Sequence, residues 1–189
     1  MFDEVICGFG RTGEPFAATS FGVLPDLITM AKALTNGAQP MGAVAVRDNI
    51  YRTIVEASPE GVPEFFHGYT YSAHPAACAA GLATLAIYER ERLFERSREL
   101  SGYFLDSMFG LHDLPAVADI RGFGLLAGIE LKPGAAPGAR GSELQAKLFD
   151  RGLHVKTTGD VAIMAPAFIA SREDIDLMAS ILREAIAEY

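Results

Sequence analysis

The sequence predicts an α/β region followed by a smaller α+β region, and three features carry that expectation. Residues 27–31 (LITMA), introduced by Pro25 and Asp26, have the length and apolar character of a strand in a buried parallel sheet. A long alanine-rich helical pattern opens at Pro75, where proline suits a first helical turn. Beyond about residue 95 the pattern changes to glycine-kinked strands, a hairpin and a terminal helix. The expected division is therefore residues 1–95 and residues 96–189.

In chain order, residues 2–7 (FDEVIC) begin like a strand and break into the glycine-rich GFGRTG. Met1 and Phe2 read as the tail of a buried strand. LITMA ends at Lys32, and Asn36-Gly37 marks a turn. Residues 41–46 (MGAVAV) form a further strand candidate, and Asp48 is placed to cap a helix over about 49–55. Residues 57–75 carry proline, glycine and aromatics without a period and read as loop. Helices are expected over about 75–92 and 95–108. Residues 117–131 read as a strand pair or one bent strand, and 142–150 as helix. A hairpin is expected around Thr158, Gly159 and Asp160. The last helix starts at Ser171, with Asp174 three residues on as in a capping box, and Ile175, Met178, Leu182 and Ile186 share one face. Two or three strands fall short of an ordinary sheet, so the first region is expected to be only part of a domain.

Half the residues are hydrophobic and 21% charged, the balance of a globular chain. A formal charge of −8 argues against nucleic acid as the main partner, because a phosphate backbone demands a basic surface. The apolar runs are too short for a membrane helix and the N-terminus lacks a secretory pattern, so a cytoplasmic address is expected. Cys7 and Cys78 read as reduced core thiols.

Gly8, Gly10 and Gly13 spell the G-x-G-x-x-G of dinucleotide-binding turns. No helical period comes after it, and Asp26 precedes its strand instead of ending it, so the glycines read as loop-shaping. His67 and His74 have no carboxylate or thiol cluster beside them, and no metal site is expected. Ser72 and His74 do not read as a nucleophile pair. Arg90, Arg92, Arg96 and Arg98 alternate with Glu89, Glu91, Glu95 and Glu99, as on a solvated, ion-paired helical face.

Lysine is scarce: of 16 basic residues only Lys32, Lys132, Lys147 and Lys156 are lysines. Lys32 ends an apolar run, and a lysine at the end of a buried strand loses hydration, which lowers its pKa and frees the amine to attack an aldehyde. Asp3 ends the preceding run. Open α/β sheets bind ligands at strand ends. A lysine for the aldehyde and a carboxylate beside the ring nitrogen are what pyridoxal 5'-phosphate (PLP) requires. The alternatives for the two residues are a solvent-reaching lysine and a solvated loop acid.

DEVICGFGRTG, PDLITMAKALTNG and HGYTYSAHPAACAAGLATL, in that order, resemble three signature segments of class III PLP-dependent aminotransferases. RGFGLLAGIEL and GDVAIMAPAF extend the likeness through the C-terminal region, closest in wording to omega-amino acid and beta-alanine:pyruvate enzymes. The resemblance implies a partial PLP-dependent transferase fold (fold type I). Residues 1–95 would be the C-terminal part of the large cofactor-binding domain, and residues 96–189 the small C-terminal domain. It implies that Lys32 forms a Schiff base with PLP and shuttles a proton, that Asp3 bonds the pyridine nitrogen and that Val5 packs on the ring. Thr70 would bind the cofactor phosphate of a neighbouring subunit, which implies a homodimer with shared active sites. Lys156 stands where the omega-amino acid branch carries a carboxylate-binding arginine, and lysine lacks the planar two-point clamp. The implied activity moves an amino group from an omega-amino acid or amine to a keto acid such as pyruvate. The family's N-terminal half, with its phosphate loop and ring-stacking aromatic, is expected to lie outside this chain, leaving it inactive alone. Rival readings are a truncated binding module and an aminomutase or decarboxylase of the same fold.

Overall fold

The computed structural model describes residues 1–63 and 68–189. The chain divides into two compact units, one of residues 1–10 and 14–92, the other of residues 11–13 and 93–189.

The first unit holds a three-stranded sheet in the order β1 (Phe2–Asp3), β2 (Leu27–Met30), β3 (Ala43–Val46). β1 and β2 run parallel, with Phe2 opposite Ile28 and Asp3 opposite Thr29, while β3 returns antiparallel to β2. Only Phe2 and Asp3 of FDEVIC are strand. Glu4 donates its amide to the Thr29 carbonyl at 2.9 Å, and the chain then turns, Gly8 N–H bonding back to the Glu4 carbonyl at 2.8 Å. The glycine fingerprint lies in this turning segment, with Gly10 at φ 107°, a conformation open to glycine alone among common residues. The helix after it is the four-residue α1 (Ala17–Ser20), not the long helix of a dinucleotide site.

Two longer helices complete this unit, α2 (Asp48–Ala57) and α3 (Pro75–Arg90). Asp48 is not the cap of α2. Arg47 occupies that position without a side-chain cap, and Asp48 lies inside the first turn, where its carboxylate meets Arg52 at 2.6 Å. α3 opens at Pro75, as its sequence requires.

The second unit is an antiparallel sheet in the order β4 (Val117–Phe123), β5 (Leu126–Leu131), β7 (Val161–Met164), β6 (Lys156–Thr158). Its helices are α4 (Leu93–Phe109), α5 (Ala139–Asp150) and α6 (Arg172–Ile186). β4 and β5 form a true hairpin, settling the choice between strand pair and bent strand. β5 alternates half-buried and buried positions, as a sheet with one covered face should. The core is continuous: Phe104, Met108, Leu125, Ile129, Leu144, Leu148, Ile175 and Leu182 are all fully buried within it. α6 carries the expected capping box: Ser171 accepts from the Asp174 amide, and Asp174 accepts from the Ser171 amide.

The alternating Arg/Glu stretch is not one solvated face. α3 ends at Arg90, Arg92 takes φ 51°, and α4 begins at Leu93. Arg90 does pair with Glu91 at 3.0 Å. Arg96 instead donates to the carbonyls of Phe168, Ile169 and Ala170, and Arg98 to that of Gly13. Carbonyls left unpaired at chain turns are strong acceptors, and a guanidinium with five donors can serve several at once.

Candidate functional site: the strand ends of the first unit

Asp3 and Lys32 occupy the same end of the sheet. β1 and β2 are parallel neighbours, Asp3 closes β1, and Lys32 lies two residues past the end of β2. Strand alternation sends the two consecutive acids to opposite sides. Asp3 is exposed, whereas Glu4 is 1% exposed. Among the described residues both hydrogen bonds to the Asp3 carboxylate fall on Oδ1, from the Val5 amide at 3.0 Å and the Thr29 hydroxyl at 3.3 Å. That oxygen is restrained from two sides, and Oδ2 remains to accept from a ligand.

Glu4 does different work. Its Oε2 and Oε1 accept the amides of Ala17 and Ala18 at 3.0 and 2.7 Å, supplying the first amides of α1 with partners they cannot find within the helix. Sequence reasoning missed this role. Its partners Ala17 and Ala18 lie 13 and 14 residues further on, and the residues beside Glu4 do not mark it as buried.

Lys32 opens a single turn of 3₁₀ helix, Lys32–Leu34, with φ 44°. A non-glycine residue in the left-handed region is uncommon and costs roughly 1–2 kcal/mol, so the structure around it must hold it there. Leu34 and Thr35 behind it are buried, the Thr35 hydroxyl donates to the Gln39 carbonyl at 2.6 Å, and Tyr88 on α3 donates to the Ala33 carbonyl at 2.8 Å.

One expectation fails here. Lys32 is exposed and every residue of β2 is only half-buried, so the amine is not desolvated in this chain. The physical reason is the small sheet: three strands present too little surface to cover a strand on both faces.

Val5 is half-buried and lines a cleft of about 710 Å³ together with Met30, Ala31, Met41, Ser72 and His74. Thr70 lies in the same unit, exposed, in a turning segment where Ser72 N–H bonds the Tyr69 carbonyl at 3.0 Å. Lys156 belongs to the other unit. It is exposed at the start of β6, opposite Ile163, with the next residue, Thr157, bonded to Gln145 of α5 at 2.7 Å. Neither cysteine is in a disulfide, and both are half-buried. His67 lies outside the described residues. Among the described residues no cluster of His, Cys, Asp and Glu could hold a metal ion, and no helix is long and apolar enough to cross a membrane.

The donor set fits a pyridine aldehyde: a primary amine and a restrained carboxylate at adjacent parallel strand ends, with a branched apolar side chain beside the acid. An arrangement of this kind, followed in sequence by an α+β unit, defines part of a PLP-dependent transferase of fold type I. Similarity to known proteins agrees. The Aminotransferase class-III family model matches residues 1–186. An omega-aminotransferase of Caulobacter vibrioides is 50% identical over 189 residues, which are 100% of this chain and 43% of the relative. A beta-alanine–pyruvate aminotransferase of Pseudomonas aeruginosa is 45% identical over 188 residues, 98% of this chain and 42% of the relative. The crystal structure of the omega transaminase from Pseudomonas jessenii in complex with PMP superposes with a TM-score of 0.90 at 29% identity, covering 98% of this chain and 42% of that one. The chain belongs to the class-III aminotransferase family and spans less than half the length of these relatives.

Proposed function

We propose that this chain carries the cofactor lysine of a PLP-dependent transaminase that moves an amino group from an omega-amino acid or amine to a keto acid such as pyruvate. The observation that carries the reading is the position of Asp3 and Lys32 at the same end of two neighbouring parallel strands in a chain of this family. The substrate class is taken from the names of the omega-amino acid and beta-alanine–pyruvate relatives. PLP, when bound, supplies an aldehyde and an electron-accepting ring. Lys32 Nζ would bond the aldehyde and afterwards carry a proton to and from substrate carbon. Asp3 Oδ2 would accept from the ring nitrogen and keep it protonated, and Val5 would pack against the ring. Thr70 would donate its hydroxyl to a phosphate held by a second subunit, so the working assembly is a homodimer with shared sites. Lys156 would neutralise the substrate carboxylate, an assignment that rests on the family pattern alone. The first unit acts as part of the large domain and the second as the small domain, in a cytoplasmic enzyme.

The exposure of Lys32 supports a second statement: the 189 residues alone do not turn over, because the amine lacks the cover that would desolvate it. The test is reconstitution of the intact enzyme with PLP, reduction with borohydride and mapping of the label among the four lysines of this chain. Label concentrated on Lys32 is expected. Label spread evenly, or concentrated on Lys132, Lys147 or Lys156, overturns the assignment. Amino transfer to pyruvate, with analysis of the products, separates a transaminase from a mutase or decarboxylase.

A further inference from the structure

We infer that Tyr88 is a positioning residue for Lys32, acting through the backbone of the turn that carries it. The functional weight of this inference rests on the reading of Lys32 as the cofactor lysine; its geometry does not.

Lys32 sits at φ 44°, where an L side chain is disfavoured and glycine is the usual occupant. A conformation of that kind persists only where its surroundings over-determine it. Three carbonyls precede the end of the turn. That of Ala31 accepts from the Leu34 amide at 3.0 Å and that of Lys32 from the Thr35 amide at 3.2 Å, both within the turn itself. The carbonyl of Ala33 accepts from outside it, from the Tyr88 hydroxyl at 2.8 Å. Tyr88 is 6% exposed, so this donor is held by a buried ring on a helix of 16 residues. The Thr35 hydroxyl bond to Gln39 also steadies the loop, but it attaches three residues beyond Lys32, whereas the Tyr88 bond attaches one residue beyond it. Without the hydroxyl, the described hydrogen bond left to the Ala33–Leu34 peptide is the one inside the turn, from the Leu34 amide to the Ala31 carbonyl, and the turn then relaxes at the residue under strain. Lys32 then leaves the left-handed region, and its side chain leaves the direction fixed at the strand end.

The test uses the full chain with ¹³C-labelled lysine, which gives four sets of signals. The set from Lys32 is identified by its loss in Lys32→Gly. Left-handed residues have distinctive Cα and Cβ shifts, so in Tyr88→Phe the Lys32 signals should move off that pattern while those of Lys132, Lys147 and Lys156 stay. Trimethylamine N-oxide, present equally with parent and variant, favours the folded state. A double-mutant cycle supplies the second readout. With Tyr88 present, Lys32→Gly should exceed Lys32→Ala in folding equilibrium constant by about fivefold or more, as the left-handed preference dictates. In the Tyr88→Phe background that ratio should fall towards one. Unmoved Lys32 signals together with an unchanged ratio would make Tyr88 an ordinary core residue and overturn the inference. A borohydride label that maps away from Lys32 would defeat the cofactor reading and leave both of these measurements standing.

Discussion

At the scale of single residues, the two neighbouring acids at the end of β1 have opposite fates, and they can be separated experimentally. Glu4 is buried and uses both oxygens on the amides of Ala17 and Ala18. Glu4→Gln would place an amide NH₂ against a backbone N–H, and about 1–3 kcal/mol of stability should be lost, read as a lower urea midpoint. Asp3→Asn keeps an acceptor at an exposed position, so its urea midpoint should stay within about 0.5 kcal/mol of the parent. On the role proposed for Asp3, the same substitution should weaken cofactor retention in a reconstituted enzyme, because a neutral amide cannot hold a ring nitrogen protonated. Legibility differed between these residues for a physical reason. The position of Asp3 and Lys32 at neighbouring strand ends was legible because a short apolar run leads up to each of them. Glu4 was not, because a buried carboxylate that caps a distant helix depends on contacts the local sequence does not display. The strain at Lys32 was equally hidden, since it comes from the turn and from Tyr88, far along the chain.

At the scale of elements, two helical glycines look alike in sequence and differ in the structure. Gly81 is buried inside α3, yet a Cβ there would meet Met41 Sδ at 3.6 Å and the Leu34 carbonyl at 3.7 Å, ordinary contact distances. Gly81→Ala should therefore raise stability by roughly 0.5–1 kcal/mol, the usual gain from removing glycine from a helix interior. Gly141 lies in the first turns of α5, where a Cβ would fall 2.0 Å from the Gly159 carbonyl oxygen. Its amide and that of Gly138 both donate to Asp160, at 3.0 and 3.2 Å. Gly141→Ala should cost about 1–3 kcal/mol, since the hairpin turn must move off the helix. Thermal unfolding of the two variants side by side reads both signs. The capping box of α6 gives a pH dependence. The Ser171 amide, and then its hydroxyl, hold the Asp174 carboxyl below its ordinary 3.8. A depressed folded value means that this contribution is complete above the ordinary carboxylate range and is lost as pH falls through the folded value. Urea midpoints from pH 7 to pH 2 should show wild type falling towards Asp174→Asn in acid, with the gap between them widest near neutrality. Hairpin and capping box were both legible because they depend on neighbours in sequence. The extent of β1, the cap of α2 and the partners of Arg96 and Arg98 were not, because each is decided by groups many residues away.

At the scale of the whole molecule, buried apolar surface is unevenly shared, and stability should track it. The continuous core lies in the second unit, from Phe104 to Ile186, and its sheet has one face covered by helices. In the first unit β2 is half-buried throughout, Val44 and Val46 of β3 are 58% and 44% exposed, and α2 buries none of its residues. Burial stabilises by about 25 cal/mol per Å² of apolar surface, so the unit with the complete core should open last. Hydrogen exchange of the 189-residue chain should therefore separate the units. Amides of β5 and β7 should exchange only through global opening, while those of β3 and α2 exchange orders of magnitude faster. Addition of a polypeptide corresponding to the part of a relative that this chain does not match should slow β2, β3 and the Lys32 turn towards the rates of the second unit if that polypeptide covers the apolar surface exposed here. Equal protection in both units before any addition would mean that the exposed face of the first unit is no weakness. The account of why Lys32 is hydrated in this chain would fall with it.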